Sequence, residues 1–154
     1  MAINLEIVRY RDWVLEVDRK ETEAVYQQIE MSGTQSCGCG NCKYFETIAN
    51  EIFPDEIKQL FEQLGVDIKK NFEVNDLGDG VNEYDFEVRF HFKGNLIKGD
   101  DCYLPLLSNG YTIKLSPVND MFEIGFTKNG PRSFFNEQEQ IIQIHIMTKC
   151  HRTL

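Results

Sequence analysis

The 154-residue sequence lacks several features that would assign it to a class at once. It carries 16 Lys and Arg against 25 Asp and Glu, a formal net charge of −9, so the cationic surplus that nucleic-acid binding needs is absent. No apolar run approaches the roughly 20 residues of a membrane span. The first residues show no charged segment followed by an apolar stretch, so we expect no secretory signal.

Low-complexity composition is also absent. With 11 Gly, 4 Pro and 42% hydrophobic residues, the chain differs from disordered and collagen-like sequences. Its length is that of one ordinary domain. We therefore expect a single cytoplasmic domain over residues 1–154 that binds neither nucleic acid nor membranes.

The motifs of common enzyme classes are missing as well. The sequence has no G-x-S-x-G, no Walker A loop, no H-E-x-x-H and no G-x-G-x-x-G after a strand. Residues 75–80, NDLGDG, resemble a calcium loop, but Leu77 occupies a ligand position and the downstream spacing does not fit. These absences favour a non-enzymatic protein without excluding an enzyme.

The hydrophobic pattern changes at Gly65 from a helical period to a strand period. Before it, residues 41–52 and 54–64 each place apolar side chains on one helical face, and Asp18 suits the start of an earlier helix. After it, apolar and polar residues alternate strictly over 86–92. The order predicts an α+β fold, with two or three helices of the N-terminal half on one face of an antiparallel sheet and solvent on the other.

Three of the five cysteines, Cys37, Cys39 and Cys42, fall within six positions. An odd number of thiols in a reducing compartment indicates metal binding, redox chemistry or plain structural thiols. Three thiolates and one further donor would complete a tetrahedral zinc site, and the intervening glycines let the backbone curl around one point. Asn41 suits a helix N-cap, which would place Cys42 in the first turn, where free N–H groups favour a thiolate.

The residues alone leave the fourth donor and the chemistry open. The histidines and the two remaining cysteines are the candidates, namely His91, Cys102, His145, Cys150 and His151. In the redox alternative, Cys39 and Cys42 form a C-x-x-C pair and Cys37 acts as a resolving thiol.

Residues 37–45, CGCGNCKYF, resemble the C-x-C-x-x-C-[RK]-[NY]-[FY] signature of a group of small bacterial proteins of unknown function. The resemblance continues through LGVD at 64–67 with Lys70, DG at 79–80 and HFKG at 91–94. It implies a site of three cysteines and one histidine, Cys37, Cys39, Cys42 and His91. It implies no catalytic role.

Acidic residues are concentrated in the middle of the chain. Between residues 73 and 87 there are six, with no Lys or Arg among them: Glu73, Asp76, Asp79, Glu83, Asp85 and Glu87. Such a run is often only a solvated strand and loop. Alternatively it forms a negative surface that steers a basic protein partner into place, with Asp76, Asp79 and Glu83 as the binding residues.

The leading hypothesis is a cytoplasmic, acidic protein-interaction module, of the inhibitor or immunity type, whose cysteine cluster binds a structural metal such as zinc. The alternative is a small metal- or thiol-dependent enzyme centred on Cys39 and Cys42. A closed site beneath an acidic face would favour the module, and an exposed, concave site beside titratable groups would favour the enzyme.

Overall fold

A computed structural model describes residues 5–79, 81–130, 134–136 and 139–151, with the backbone alone at His151. Within these residues the helices are α1 (Arg19–Gln28), α2 (Gly33–Cys37), α3 (Gly40–Ile52) and α4 (Asp55–Leu64). The strands are β1 (Glu6–Tyr10), β2 (Trp13–Val17), β3 (Glu73–Asp76), β4 (Glu83–Lys98), β5 (Tyr103–Pro105), β6 (Tyr111–Ile113), β7 (Ser116–Asn119), β8 (Phe122–Thr127) and β9 (Ile141–His151).

Seven of these strands form one antiparallel sheet. Six follow the order β1-β2-β4-β9-β8-β7, and β3 pairs with β4 on the same edge as β2. The short strands β5 and β6 form a separate two-stranded sheet. The α+β class and the placement of the helices in the N-terminal half are confirmed. Among the described residues, no helix combines the length and the apolar character that crossing a membrane would require.

Four consecutive even-numbered residues of β4 point toward the helices and are fully buried: Phe86, Val88, Phe90 and Phe92. Phe45 of α3 meets Phe86 edge to face, with 5.1 Å between ring centroids, and Phe61 of α4 meets Phe90 in the same way at 4.8 Å. Such ring pairs contribute about 0.5–1.5 kcal/mol each beyond the area they bury. The predicted packing of α3 and α4 on one face of the sheet is therefore confirmed.

One edge of β4 is shared by two strands that leave a gap between them. Pairing with β3 ends at Arg89 and pairing with β2 begins at Gly94. Tyr26 of α1 fills the gap: its hydroxyl donates to the carbonyl of His91 at 2.9 Å and accepts from the amide of His91 at 3.1 Å. Helix α1 thus completes the hydrogen bonding of the longest strand.

The odd-numbered face of the sheet differs from the prediction of a solvated surface. His91 is 1% exposed, and Gln143 and His145 on β9 are equally buried. The covering residues come from distant parts of the chain. The Phe72 ring lies 5.2 Å from that of His91, and the Tyr103 ring lies 5.9 Å from that of His145. The centre of this face is therefore a second buried layer.

Candidate metal centre

The cysteine cluster lies where α2 meets α3. Helix α2 ends at Cys37, and Gly38 follows in the left-handed conformation with φ of 65°, which glycine adopts without steric cost. The chain reverses there, and Cys39 becomes the N-cap of α3, with its Sγ accepting a hydrogen bond from the Cys42 amide at 3.4 Å. Helix α3 therefore begins earlier than predicted, because the Cys39 sulfur rather than the Asn41 side chain caps it.

This turn brings three sulfur atoms together. The Sγ atoms of Cys37, Cys39 and Cys42 all lie within 4.8 Å of one another. Cys37 and Cys39 are exposed, whereas Cys42 is 5% exposed, and all three are free thiols. In a tetrahedral zinc site, Zn–S bonds of about 2.3 Å place the sulfurs about 3.8 Å apart. The donor set and its spacing fit a thiophilic ion, so the cluster could hold a metal.

The surroundings give the thiols different acidities. The Cys42 amide and the neighbouring Cys37 thiol lower the pKa of Cys39 to about 7. Burial and the adjacent thiols raise the pKa of Cys42 to about 12. Near pH 7 a large fraction of Cys39 is therefore thiolate in the metal-free protein, and Cys42 is a thiol. A bound dication would favour the deprotonated form of every sulfur that it contacts.

The structure does not bring His91 to the cysteines. Among the described residues, the group of converging ligand atoms consists of the three cysteines alone. His91 lies on the odd-numbered face of β4, where its Nε2 is 3.2 Å from Oε1 of Gln143, whereas α3 packs on the even-numbered face. Successive residues of a strand point to opposite faces, so the sheet separates His91 from the sulfurs. The expected site of three cysteines and one histidine is not assembled.

The other candidates for a fourth donor also lie outside the converging group. Cys102 and His145 are buried, and Cys102 lies against Gly125 of β8. The Sγ of Cys150 lies 3.8 Å from the Tyr44 hydroxyl. The side chain of His151 is outside the described residues.

Asp76 joins the acidic segment to the cysteine cluster. Its Oδ2 accepts a hydrogen bond from Nδ2 of Asn41, at 3.2 Å, and Asn41 lies between Cys39 and Cys42 in the first turn of α3. Its Oδ1 accepts from the amides of Gly78 and Asp85. This half-buried carboxylate therefore supports the turn between β3 and β4 as well as contributing charge.

Strand pairing supplies the acidic segment with bases that its own sequence lacks. Arg89 forms ion pairs with Glu73 and Glu87, and Lys149 lies opposite Asp85 in the register of β4 and β9. These contacts correct the expectation of six acids unrelieved by any base. Of the other three acids of the segment, Asp79 is exposed, and Asp76 and Glu83 are half-buried.

A polar network on the odd-numbered face was missed by the sequence analysis. Nε2 of Gln143 donates to the Tyr103 hydroxyl at 3.0 Å and lies 3.3 Å from Nδ1 of His145. Nε2 of His145 lies 3.4 Å from a carboxylate oxygen of Glu87, though not aligned for a hydrogen bond. The only local signal is that polar residues alternate with apolar ones on both strands, a pattern that ordinarily indicates solvent contact.

Burial keeps both histidines of this network neutral. Desolvation lowers the pKa of His91 to about 4, despite the hydrogen bond to Gln143, and it also lowers the pKa of His145, against the attraction of Glu87. Both Nδ1 of His91 and Nε of Arg89 are buried, and neither has a hydrogen-bond partner among the residues that the structure describes. The network therefore holds β4, β9 and Tyr103 together, and it does not carry a charged histidine at neutral pH.

Of the cysteine cluster and the histidine network, only the cysteine cluster is both accessible and chemically suited to bind a ligand. Three sulfur donors at one turn, two of them exposed, suit zinc and other soft ions, whereas the histidine network is buried. Comparisons of the chain with protein-family models, with curated proteins and with solved structures find no match.

Proposed function

We propose that this protein is a metal-binding interaction module, in which Cys37, Cys39 and Cys42 hold a zinc ion whose fourth position accepts a donor from a protein partner. The convergence of three sulfur atoms within 4.8 Å at one turn carries the proposal. Purely structural zinc sites use four protein ligands and are closed, whereas sites with three protein ligands keep one position open. Exposure of Cys37 and Cys39 supports the open form, and it departs from the closed site that the sequence analysis expected of an interaction module.

The neighbouring charge supports a basic partner. Three thiolates and one Zn²⁺ carry a net charge of −1, which adds to that of the acidic residues. The hydrogen bond between Asn41 and Asp76 joins the turn that carries the cysteines to the turn between β3 and β4, which we call the acidic turn. The two turns are therefore adjacent parts of one surface. A partner that presents a histidine or cysteine within a basic patch would meet both features. Charge complementarity of this kind mainly accelerates association.

Zinc titration against a competing chelator tests the metal centre. Reduced protein should bind about one equivalent of zinc. Each of the variants Cys37→Ser, Cys39→Ser and Cys42→Ser should weaken zinc binding by at least about 10-fold, because it removes one ligand. The matched control is Cys102→Ala, which also removes one free thiol but lies outside the group. Equal zinc affinity in wild type and all three serine variants would overturn the proposal.

Cobalt substitution tests the open position. Co²⁺ bound to the three thiolates should change its visible spectrum when imidazole is added, because an external nitrogen enters the coordination sphere. A spectrum that is insensitive to imidazole would show that the chain itself fills all positions. The site would then be structural.

The acidic turn is tested with a probe of stated chemistry, a lysine-rich peptide with one central histidine. Zinc-loaded protein should bind it more tightly than zinc-free protein, and Asp79→Asn should slow association at low salt. The Asn variant retains an Oδ1 that can accept the amides of Val81 and Asn82. Glu30→Gln, an exposed acid in another part of the chain, is the control. Binding that is independent of both zinc and Asp79 would contradict the proposal.

A further inference from the structure

The cysteine cluster contains one accessible and one shielded sulfur at C-x-x-C spacing. Cys39 is exposed at the N-terminus of the 13-residue helix α3, and its Sγ accepts the Cys42 amide. Cys42 is buried, with its Sγ within 4.8 Å of that of Cys39. An exposed sulfur at a helix start is placed to attack, and a shielded sulfur beside it is placed to resolve the product.

We propose that Cys39 and Cys42 exchange with low-molecular-weight disulfides, and that the disulfide formed between them dismantles the metal centre. The second half of this inference rests on the proposed function. The first half concerns the metal-free chain alone. Small disulfides are the substrate class because Cys39 lies on an open turn that they can reach.

The exchange has two steps. The Cys39 thiolate attacks one sulfur of a disulfide RSSR, which breaks the S–S bond, forms a mixed disulfide on Cys39 and releases RS⁻. Cys42 then gives up its proton and attacks the Cys39 Sγ, which forms the Cys39–Cys42 disulfide and releases a second RS⁻. The two protein protons end on the released thiolates. Two protein thiols are thus oxidised by two electrons, and RSSR is reduced to two RSH.

Cys42, rather than Cys37, is the resolving thiol. The Cys42 amide is already hydrogen-bonded to the Cys39 Sγ, so the two residues face each other in the first turn of α3. Cys37 belongs to α2, and only Gly38, in its left-handed conformation, separates it from Cys39. A bond across that single residue would close a smaller ring. After oxidation only Cys37 would remain as a thiolate ligand, which is too few to retain zinc.

Oxidised glutathione is the probe for the exchange, applied to the reduced, chelator-treated full chain and followed by mass spectrometry with fragment mapping. Wild type and Cys37→Ser should form the Cys39–Cys42 disulfide. Cys42→Ser should accumulate glutathione on Cys39, and Cys39→Ser should react at least about 10-fold more slowly. The control Cys102→Ala should behave as wild type. Glutathione on Cys37 in place of Cys39, equal rates in Cys39→Ser, or no oxidation would each overturn the exchange.

Metal release is measured separately. Oxidised glutathione added to zinc-loaded wild type should transfer zinc to a colorimetric indicator as the Cys39–Cys42 disulfide forms, whereas reduced glutathione at the same concentration, which cannot oxidise the pair, should transfer far less. Retention of zinc after the disulfide has formed would overturn the second half. If reduced protein binds no zinc, the proposed function fails while the exchange in the metal-free chain still stands or falls by its own measurement.

Discussion

The hydroxyl of Tyr26 offers a sharp test of how the sheet is completed. The side chain is 2% exposed. Its oxygen both donates to and accepts from the backbone of His91, at 2.9 and 3.1 Å. That residue lies in the gap between the strands that pair with one edge of β4. Tyr26→Phe would remove the oxygen and leave a buried N–H and a buried C=O without partners.

The expected cost follows from these two groups. A buried backbone donor or acceptor without a partner costs about 1–3 kcal/mol, so two of them set a range of about 2–6 kcal/mol. Water entering beside the smaller side chain would recover part of it. We therefore expect Tyr26→Phe to lower the free energy of unfolding by about 2–4 kcal/mol, with an unchanged dependence on denaturant.

Urea unfolding, followed by circular dichroism and by the fluorescence of the single tryptophan, Trp13, measures this loss. Tyr111→Phe is the matched control because Tyr111 is 53% exposed, and it should change stability by less than about 0.5 kcal/mol. A loss below about 1 kcal/mol in Tyr26→Phe would refute the role of α1 in closing the β4 edge.

Three further predictions concern the close contact between β2 and β4 at Gly94, the buried histidines and the ion pairs of Arg89. Gly94→Ala should prevent normal folding because the added Cβ would lie 1.8 Å from the Glu16 carbonyl oxygen. The control is Gly40→Ala, whose Cβ would meet nothing within 4 Å and which should leave the free energy of unfolding unchanged or raise it by up to about 1 kcal/mol. Circular dichroism and urea unfolding compare the two variants. Burial lowers the pKa of His91 in the folded protein to about 4, below its ordinary value of 6.5. The unfolded chain therefore binds a proton at this residue more readily, and the free energy of unfolding should be unaffected by His91 above pH 6.5 and fall by about 3 kcal/mol as the pH drops toward 4. His91→Gln should flatten that dependence in unfolding curves recorded across the range. Arg89→Met should lower the free energy of unfolding by about 2 kcal/mol. This loss is smaller than that for a fully buried ion pair because Glu73 is 40% exposed. Loss of its positive charge should also raise the pKa of His91 and of His145, which proton NMR titration would detect.

Elements with local signals were predictable from the sequence. Asp18 indicated the start of α1, and its side chain does accept the Glu21 amide at 3.1 Å. Gly65 indicated the end of α4, where it adopts a left-handed φ of 80°. The alternation over 86–92 predicted which residues of β4 meet the helices. In each case the determining contacts lie within a few residues, or follow from the alternation of a single strand.

Helix α2 has a local start signal but no hydrophobic periodicity. Ser32 and Gln35 form a capping box, with the Ser32 hydroxyl accepting the Gln35 amide and the Gln35 side chain accepting the Ser32 amide. The spacing S-x-x-Q is typical of a helix start. No apolar run follows it, so hydrophobic periodicity does not predict this helix. The segment before the cysteines is therefore ordered by its caps rather than by hydrophobic periodicity.

The odd-numbered face of the sheet could not be predicted in the same way. Its burial depends on Phe72 and Tyr103, which reach His91 and His145 only after the chain has folded. The local pattern of polar residues at every second position gave the opposite indication. His91 is a different case: the resemblance alone implied that it lies beside the cysteines, whereas the alternation over 86–92 already places it on the face opposite the phenylalanines.

The cysteine cluster, by contrast, depends on contacts that are close in sequence, with one attachment to β3 and one to the segment that leads into it. Asn71 accepts the Thr34 amide and donates to the Thr34 hydroxyl, both at 3.2 Å, which fixes α2. Asn41 donates to Asp76 of β3, which fixes the start of α3. Because α2 is tied to the segment just before β3 and α3 is tied to β3 itself, the backbone that carries the sulfurs is held in the metal-free protein. Preorganised ligands lose less conformational freedom on binding. An exposed turn built in this way suits the proposed site with an exchangeable fourth ligand, because the side chains of Asn71 and Asp76 hold the turn while the sulfurs of Cys37 and Cys39 stay accessible.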